Sequence, residues 1–464
     1  MARILLVDPP LSSGSLNIGL ASIASYLLHH GHDVHVLDLN NRRGGEKERI
    51  LSLAPPDIIG VSVNAFTATV ATQFARQLSG LYPKAKIVAG GPEPSSRPLW
   101  FLHRFVAPIF DFVVCGDGEP PMLKLAENCD SSEINGLWSQ RQSMGVSKVE
   151  NLDMLPFPNY GVFDSFSGSI ENYPLMTSRG CLYSCIFCLN SVLSQRKWRS
   201  RSPRNVLEEI LYAKDRYRFK RLDIWDDGFT TSLERAKEIL HLIEDARLDI
   251  EVRLQNGVRA DKIDAEFLNL LRRVGGKRIW IGAEDLTPET AENVGKKETP
   301  KQIEDAIRLA KIIGFDVGVT MIIGLPGQTK QTVEHSLSRV RALGVKAQWF
   351  LATPFVGTKL YEWVAENART IVPPDHYSLP PHSEIAKGFR EVVFDTENFT
   401  REERLDVFYR ANISTNDLGF LAQINPHLSK ILWQHDKLRF VEFQLRKIGE
   451  TVKRFESIIR RSGI

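Results

Sequence analysis

The chain is poor in cysteine and poor in net charge. Its 464 residues include five cysteines, and 59 Lys and Arg stand against 56 Asp and Glu. Five thiols exclude a disulfide-built scaffold. A formal charge of +3 over this length gives no general basis for nucleic-acid binding or for long-range attraction of an acidic partner, so no nucleic acid is expected. Long apolar runs are missing too: none approaches the ~18–20 residues of a membrane-spanning helix. The start, MARILLVDPP, meets Asp8 and a proline pair within ten residues. It does not read as a secretory signal, and a cytoplasmic protein is expected. A GxGxxG dinucleotide fingerprint is also lacking.

What is present is alternation. Apolar runs at Ile4–Val7, Asp33–Leu39, Asp57–Val63, Lys86–Ala89 and Asp111–Cys115 read as buried strands. Helical patterns around Leu16–His29, Glu46–Leu53, Ala68–Leu81 and Pro121–Asn128 separate them. The fold class expected over residues 1–135 is α/β, a Rossmann-like doubly wound parallel sheet. Ligands of such sheets bind beyond the strand C-termini, where Asp8-Pro9-Pro10, Asn64, Gly90-Gly91-Pro92 and Gly116-Asp117-Gly118-Glu119 fall. Residues 136–170 read as a linker. A second βα series spans 171–385, with strands expected at Leu175–Ser178, Arg221–Trp225, Glu251–Leu254, Arg278–Gly282, Asp316–Ile323 and Ala347–Leu351. Six units make a partial (β/α)6 TIM-like barrel with its chemistry at the strand C-termini. Residues 386–464 read as a C-terminal helical region. Its last 29 residues carry eight basic and four acidic side chains around an apolar stripe from Val441 to Ile459; the pattern predicts a packed helix or a peripheral membrane or partner contact.

Three of the five cysteines, Cys181, Cys185 and Cys188, fall in one CxxxCxxC segment. Three thiolates on a short loop can hold three irons of a cubane cluster and leave the fourth iron open. A structural zinc site, a redox thiol pair and plain buried cysteines are the alternatives. Zinc would want a fourth ligand at short spacing, and a redox pair leaves Cys181 without a task. Of the other two, Cys129 reads as core.

The segment Cys181-Leu182-Tyr183-Ser184-Cys185-Ile186-Phe187-Cys188, on the loop after the first strand of a six-fold βα series, resembles the radical S-adenosylmethionine (SAM) enzymes. Arg199-Ser200-Arg201-Ser202-Pro203, Trp225-Asp226-Asp227-Gly228-Phe229, Gly282-Ala283-Glu284, Gly324-Leu325-Pro326-Gly327-Gln328-Thr329 and Pro354-Phe355-Val356-Gly357-Thr358 extend the match. With Gly90-Gly91-Pro92 and Val114–Glu119, they resemble the subgroup with an N-terminal cobalamin-binding domain, over about residues 2–360. The resemblance implies a 4Fe-4S cluster on Cys181, Cys185 and Cys188, whose open iron chelates SAM and cleaves it to a 5′-deoxyadenosyl radical. It implies Phe187, Asp226, Asp227, Glu284, Gly324 and Gly327 around SAM, Asp226 and Asp227 being suited to its ammonium group. For cobalamin it implies Pro10, Asn64, Ala65, Gly90, Gly91, Gly116 and Glu119. It also implies an external electron donor such as flavodoxin or ferredoxin. The first loop, Asp8-Pro9-Pro10-Leu11-Ser12-Ser13-Gly14, departs from the Asp-x-His-x-x-Gly of many cobalamin domains and offers no histidine to cobalt. The function expected is cobalamin-dependent C-methylation of an unactivated carbon in a small-molecule or lipid-like substrate. The alternative is a radical cyclisation, rearrangement or oxidation without methyl transfer.

Overall fold

A computed structural model of the chain describes residues 1–10, 16–40, 53–103, 109–142, 145–377 and 391–415. The N-terminal sheet contains β1 (Arg3–Asp8), β2 (Asp33–Asp38), β3 (Ile58–Ser62), β4 (Lys86–Gly90), β5 (Phe112–Val114) and β6 (Leu137–Trp138) in the order β2-β1-β3-β4-β5-β6. The first five are parallel, and β6 joins β5 antiparallel. Alternate side chains of β1 enter two different cores. Ile4 and Leu6 pack with Leu20, Ala24 and Met122 of the helices at Ile18–His29 and Glu119–Ala126. Leu5 and Val7 pack with Ala71, Ala75 and Leu78 of the helix at Ala68–Leu81. A strand buried on both faces must be apolar throughout, which is why these runs do not alternate.

The second series begins with β7 (Asn172–Leu175), followed by a hairpin of β8 (Ser178–Gly180) and β9 (Trp198–Ser200). The single strand expected at Leu175–Ser178 is therefore broken at Met176-Thr177. Then come β10 (Arg221–Ile224), β11 (Glu251–Leu254), β12 (Arg278–Glu284), β13 (Asp316–Ile323) and β14 (Lys346–Leu351). β7, β10 and β11 form one parallel half, and β12, β13 and β14 the other. Val258 bridges them, donating to the Trp280 carbonyl at 2.8 Å and accepting from the Gly282 amide at 3.1 Å. Helices at Pro203–Tyr217, Leu233–Asp245, Ala265–Arg273, Pro300–Ile313 and Lys330–Leu343 cover the outside.

The 136–170 segment is fastened at both ends of its path. β6 extends the N-terminal sheet, Asp164 accepts from the Asp38 amide at 2.8 Å, and Ser165 donates to the Asp38 carboxylate. Tyr160 is buried against Tyr173 and Tyr217 of the barrel, with its hydroxyl donating to the Pro174 carbonyl at 3.3 Å. Of the C-terminal region, a helix at Arg401–Thr415 lies on β14 through Trp349, whose indole donates to Thr415 at 3.2 Å. The expected helix at Glu46–Leu53 and the basic segment 436–464 lie outside the described residues. Among the described residues no helix is long and apolar enough to cross a membrane.

Candidate active site

The break after β7 aims the cysteine loop. Asp226, at the end of β10, accepts from the Thr177 amide at 2.6 Å, the Thr177 hydroxyl at 2.5 Å and the Ser178 hydroxyl at 2.6 Å. Arg235 donates to the Thr177 carbonyl at 2.7 Å. Asp226 is 3% exposed; burial raises its pKa against the pull of these donors. Its carboxylate is thus engaged in shaping the loop. Next to Cys181, Gly180 has φ +88, and a Cβ there would overlap the Lys197 carbonyl oxygen. Only glycine lets this hairpin close.

Cys181, Cys185 and Cys188 are free thiols, all half-buried. The loop carrying them is pinned through Ile186, whose amide donates to the Val294 carbonyl at 3.1 Å, and through Ser194, whose hydroxyl donates to the Cys181 carbonyl at 3.0 Å. The Arg259 guanidinium stacks 3.8 Å from the Tyr183 ring centroid. Burial pushes the Cys185 thiol up to about 12 and Cys188 to about 11. Such thiols bind a metal by giving up protons that burial otherwise keeps in place. Among the described residues no three His, Cys, Asp or Glu side chains converge on a point suited to one metal ion. Three cysteine sulfurs on one loop are the donor type that iron–sulfur clusters take. Of the remaining cysteines, Cys129 departs from the expected core position. Cys115 is buried in the sheet core, whereas Cys129 is exposed beyond the helix end at Ala126, where Asn128 turns the chain with φ 59.

Around this loop the predicted SAM residues divide. Asp227 is held by Asn190, which donates to it at 2.6 Å, and its pKa is raised by burial. Glu284 sits at a register shift between β12 and β13 with φ +62, a strained turn for a non-glycine residue that redirects its carboxylate. Lys296, 6% exposed, lies 3.2 Å from Glu284 and 3.1 Å from Glu298. Burial works against the lysine charge, yet the two glutamates hold its pKa above the ordinary value. Phe187 packs against the buried cluster of Ala352, Leu360, Val364 and Phe394. Gly324 and Gly327 make the turn after β13, closed by Gln328, which accepts from the Gly324 amide at 2.7 Å. The guanidinium of Arg404 and the amide of Asn293 fill the spaces that side chains at these glycines would take.

A cavity of about 360 Å³ lies between the two domains. Its apolar slot runs between Leu6, Val61 and Val88 of the sheet and Ile23 and Met122 of the covering helices. Gly90, Gly91, Gly116 and Glu119 line it, and its barrel side is formed by Gly180, Asn190 and Asp227 among others. Apolar walls with a few polar groups on the barrel side suit the nucleotide tail and rim of a corrinoid. Pro10, Asn64 and Ala65 are not among its walls. Asn64 instead accepts from the Phe66 and Thr67 amides at 2.9 and 3.0 Å, capping its own turn.

Glu119 is turned away from a purely cofactor-facing role by an unforeseen partner. Arg179 lies 2.7 Å from Glu119 and 3.1 Å from Asp117, and Ser22 donates to Glu119 at 2.5 Å. Arg199 lies 2.5 Å from the other Asp117 oxygen. The sequence placed Arg179 two residues before Cys181, and that adjacency was the one available cue. Lys296 and Arg259, brought in from distant turns, had none.

The chain matches the Radical SAM superfamily over residues 175–340 and the B12 binding domain over residues 14–126. It is similar to an uncharacterized methyltransferase of Pyrococcus horikoshii, 28% identical over 388 residues that cover 79% of this chain and 83% of the relative. It is also similar to the anaerobic magnesium-protoporphyrin IX monomethyl ester cyclase of Rubrivivax gelatinosus, 26% identical over 404 residues, covering 79% and 70% respectively. Among solved structures, the radical S-adenosylmethionine methyltransferase of Kitasatospora setae with tryptophan and a SAM analogue bound superposes with a TM-score of 0.68. That similarity runs at 20% identity and covers 80% of this chain and 79% of that one.

Proposed function

We propose, from the premise that the chain is a radical SAM enzyme with an N-terminal B12-binding domain, that it methylates an unactivated carbon of a small-molecule substrate. The observation that carries this reading is the shared wall: Gly180, Asn190 and Asp227 bound both the interdomain cavity and the surroundings of the cysteine loop. When bound, the cluster supplies the electron that cleaves SAM and the corrinoid carries the methyl group. Cys181, Cys185 and Cys188 hold the cluster. Asp227, oriented by Asn190, receives the SAM ammonium. Glu284 takes the ribose hydroxyls; burial raises its pKa, and Lys296, paired with it at the bulge, opposes that shift. Phe187 and the Gly324–Gly327 turn flank the adenine. An external one-electron donor of the flavodoxin or ferredoxin kind completes the scheme, and a lipid-like substrate would bring peripheral membrane contact.

The test is purification with and without cobalamin supply. A corrin absorption spectrum and transfer of isotopically labelled methyl from SAM to product are expected. Turnover by corrin-free protein at the full rate would overturn the reading. The similarity to the cyclase of Rubrivivax gelatinosus supports a second reading, ring closure or oxidation without methyl transfer, for which SAM cleavage would proceed with no label in the product.

A further inference from the structure

The geometry points to Asp117 as a positioning residue that links occupancy of the interdomain cavity to the conformation of the cysteine loop. The proposal rests on the reading that a corrinoid fills the cavity and a cluster the three cysteines. Asp117 stands in the cavity wall between Gly116 and Gly118, which also line it. The turn has little freedom to yield elsewhere. A Cβ at Gly116 (φ +90) would overlap the Ser147 carbonyl oxygen, and one at Gly118 would lie 2.5 Å from Ile23. The Asp117 amide donates to Ser147 at 2.9 Å, and its carboxylate accepts from the Val149 amide at 2.8 Å.

The remaining contacts of Asp117 lead to the cysteine loop. One oxygen lies 3.1 Å from Arg179 and the other 2.5 Å from Arg199. These two arginines are direct partners across the β8–β9 hairpin. Like charges opposed in a strand pair repel; Glu119 offsets part of the Arg179 charge at 2.7 Å, and Asp117 is the carboxylate that both arginines share. β8 runs through Gly180 directly into Cys181. A ligand that presses on the 116–118 turn therefore acts on a pair of opposed cations two residues from the first cluster ligand. Coupling of this kind is reciprocal: a filled cluster site alters corrinoid affinity by the same factor.

The experiment is hydrogen–deuterium exchange of the backbone over residues 178–190 in the full, metal-free chain, with and without saturating hydroxocobalamin. The visible spectrum reports corrinoid binding in the same samples. In the wild type, hydroxocobalamin is expected to slow exchange in this segment by about threefold or more. In Asp117→Asn, with corrinoid still bound, the difference is expected to fall by at least half, the remainder being direct shielding at Gly180 and Asn190, which line the cavity. No difference in the corrin-bound wild type, or an undiminished one in Asp117→Asn, overturns the link. Failure of the wild type to bind corrinoid overturns the cavity reading itself and is seen in the spectrum. Arg199→Lys, which keeps the charge with a different reach, decides the matter if Asp117→Asn does not fold: the difference should fall by at least half, and an unchanged one overturns the proposal.

Discussion

Asp226 and Asp227 are adjacent in sequence and serve different ends. Asp226 spends both oxygens on Thr177 and Ser178, while Asp227 has one side-chain donor, Asn190, and borders the cavity. Replacing Asp227 by Asn should therefore raise the SAM dissociation constant by about 10–100-fold, the worth of a hydrogen bond to a charged group, with little change in melting temperature. Asp226→Ala should instead lower the melting temperature and loosen the cysteine loop, because three buried donors lose their acceptor; equal thermal stability of the two variants would contradict this division. Cys185→Ala leaves two sulfur ligands, and reconstituted protein is expected to lose most of its iron and its SAM cleavage, read by iron and sulfide analysis and by 5′-deoxyadenosine release. The residue types of the site were legible in CxxxCxxC and Asp226-Asp227. What the two aspartates do was not, because the distinction depends on which strand end each one meets.

At the scale of elements, most helices and strands follow from period alone. The helices at Pro203–Tyr217 and Lys330–Leu343 begin at Ser202-Pro203 and after Thr329, and the second ends at Gly344, whereas the first ends at Arg218, in the left-handed region at φ 55. Periodicity missed the break between β7 and β8, since the Asp226 carboxylate that breaks the strand comes from 49 residues away. It also missed β6, two residues long and paired only through β5. The β8–β9 hairpin should be acid-sensitive. Burial opposes ionisation of Asp117, but Arg179 and Arg199 hold its carboxyl below the ordinary 3.8. A depressed carboxylate stabilises the fold above its unfolded pKa and loses that contribution as pH falls through the folded value. Melting temperature should drop below about pH 4, and less steeply in Asp117→Asn; parallel profiles for the two proteins would show that the hairpin is not the acid-labile element.

For the whole molecule, the decisive packing lies in the stretch read as a linker. Tyr160, fully buried between two barrel tyrosines, should cost about 3–5 kcal/mol when cut to Ala. Because Ser25, Asp38 and Tyr217 all bond to residues 159–165, that loss should appear as one cooperative transition in calorimetry; two separated transitions would mean that the domains unfold independently. The domain order was legible because two βα series differ in their turn residues. The fastening was not, since it joins hydroxyls and amides from three regions with no periodic signature. Its consequence concerns traffic. The bonds from Ser25, Asp38 and Tyr217 to residues 159–165 oppose separation of one domain from the other. A ligand of the interdomain cavity would then be admitted by movement of the short turns that line it, such as 116–118, with the spacing of the two domains kept.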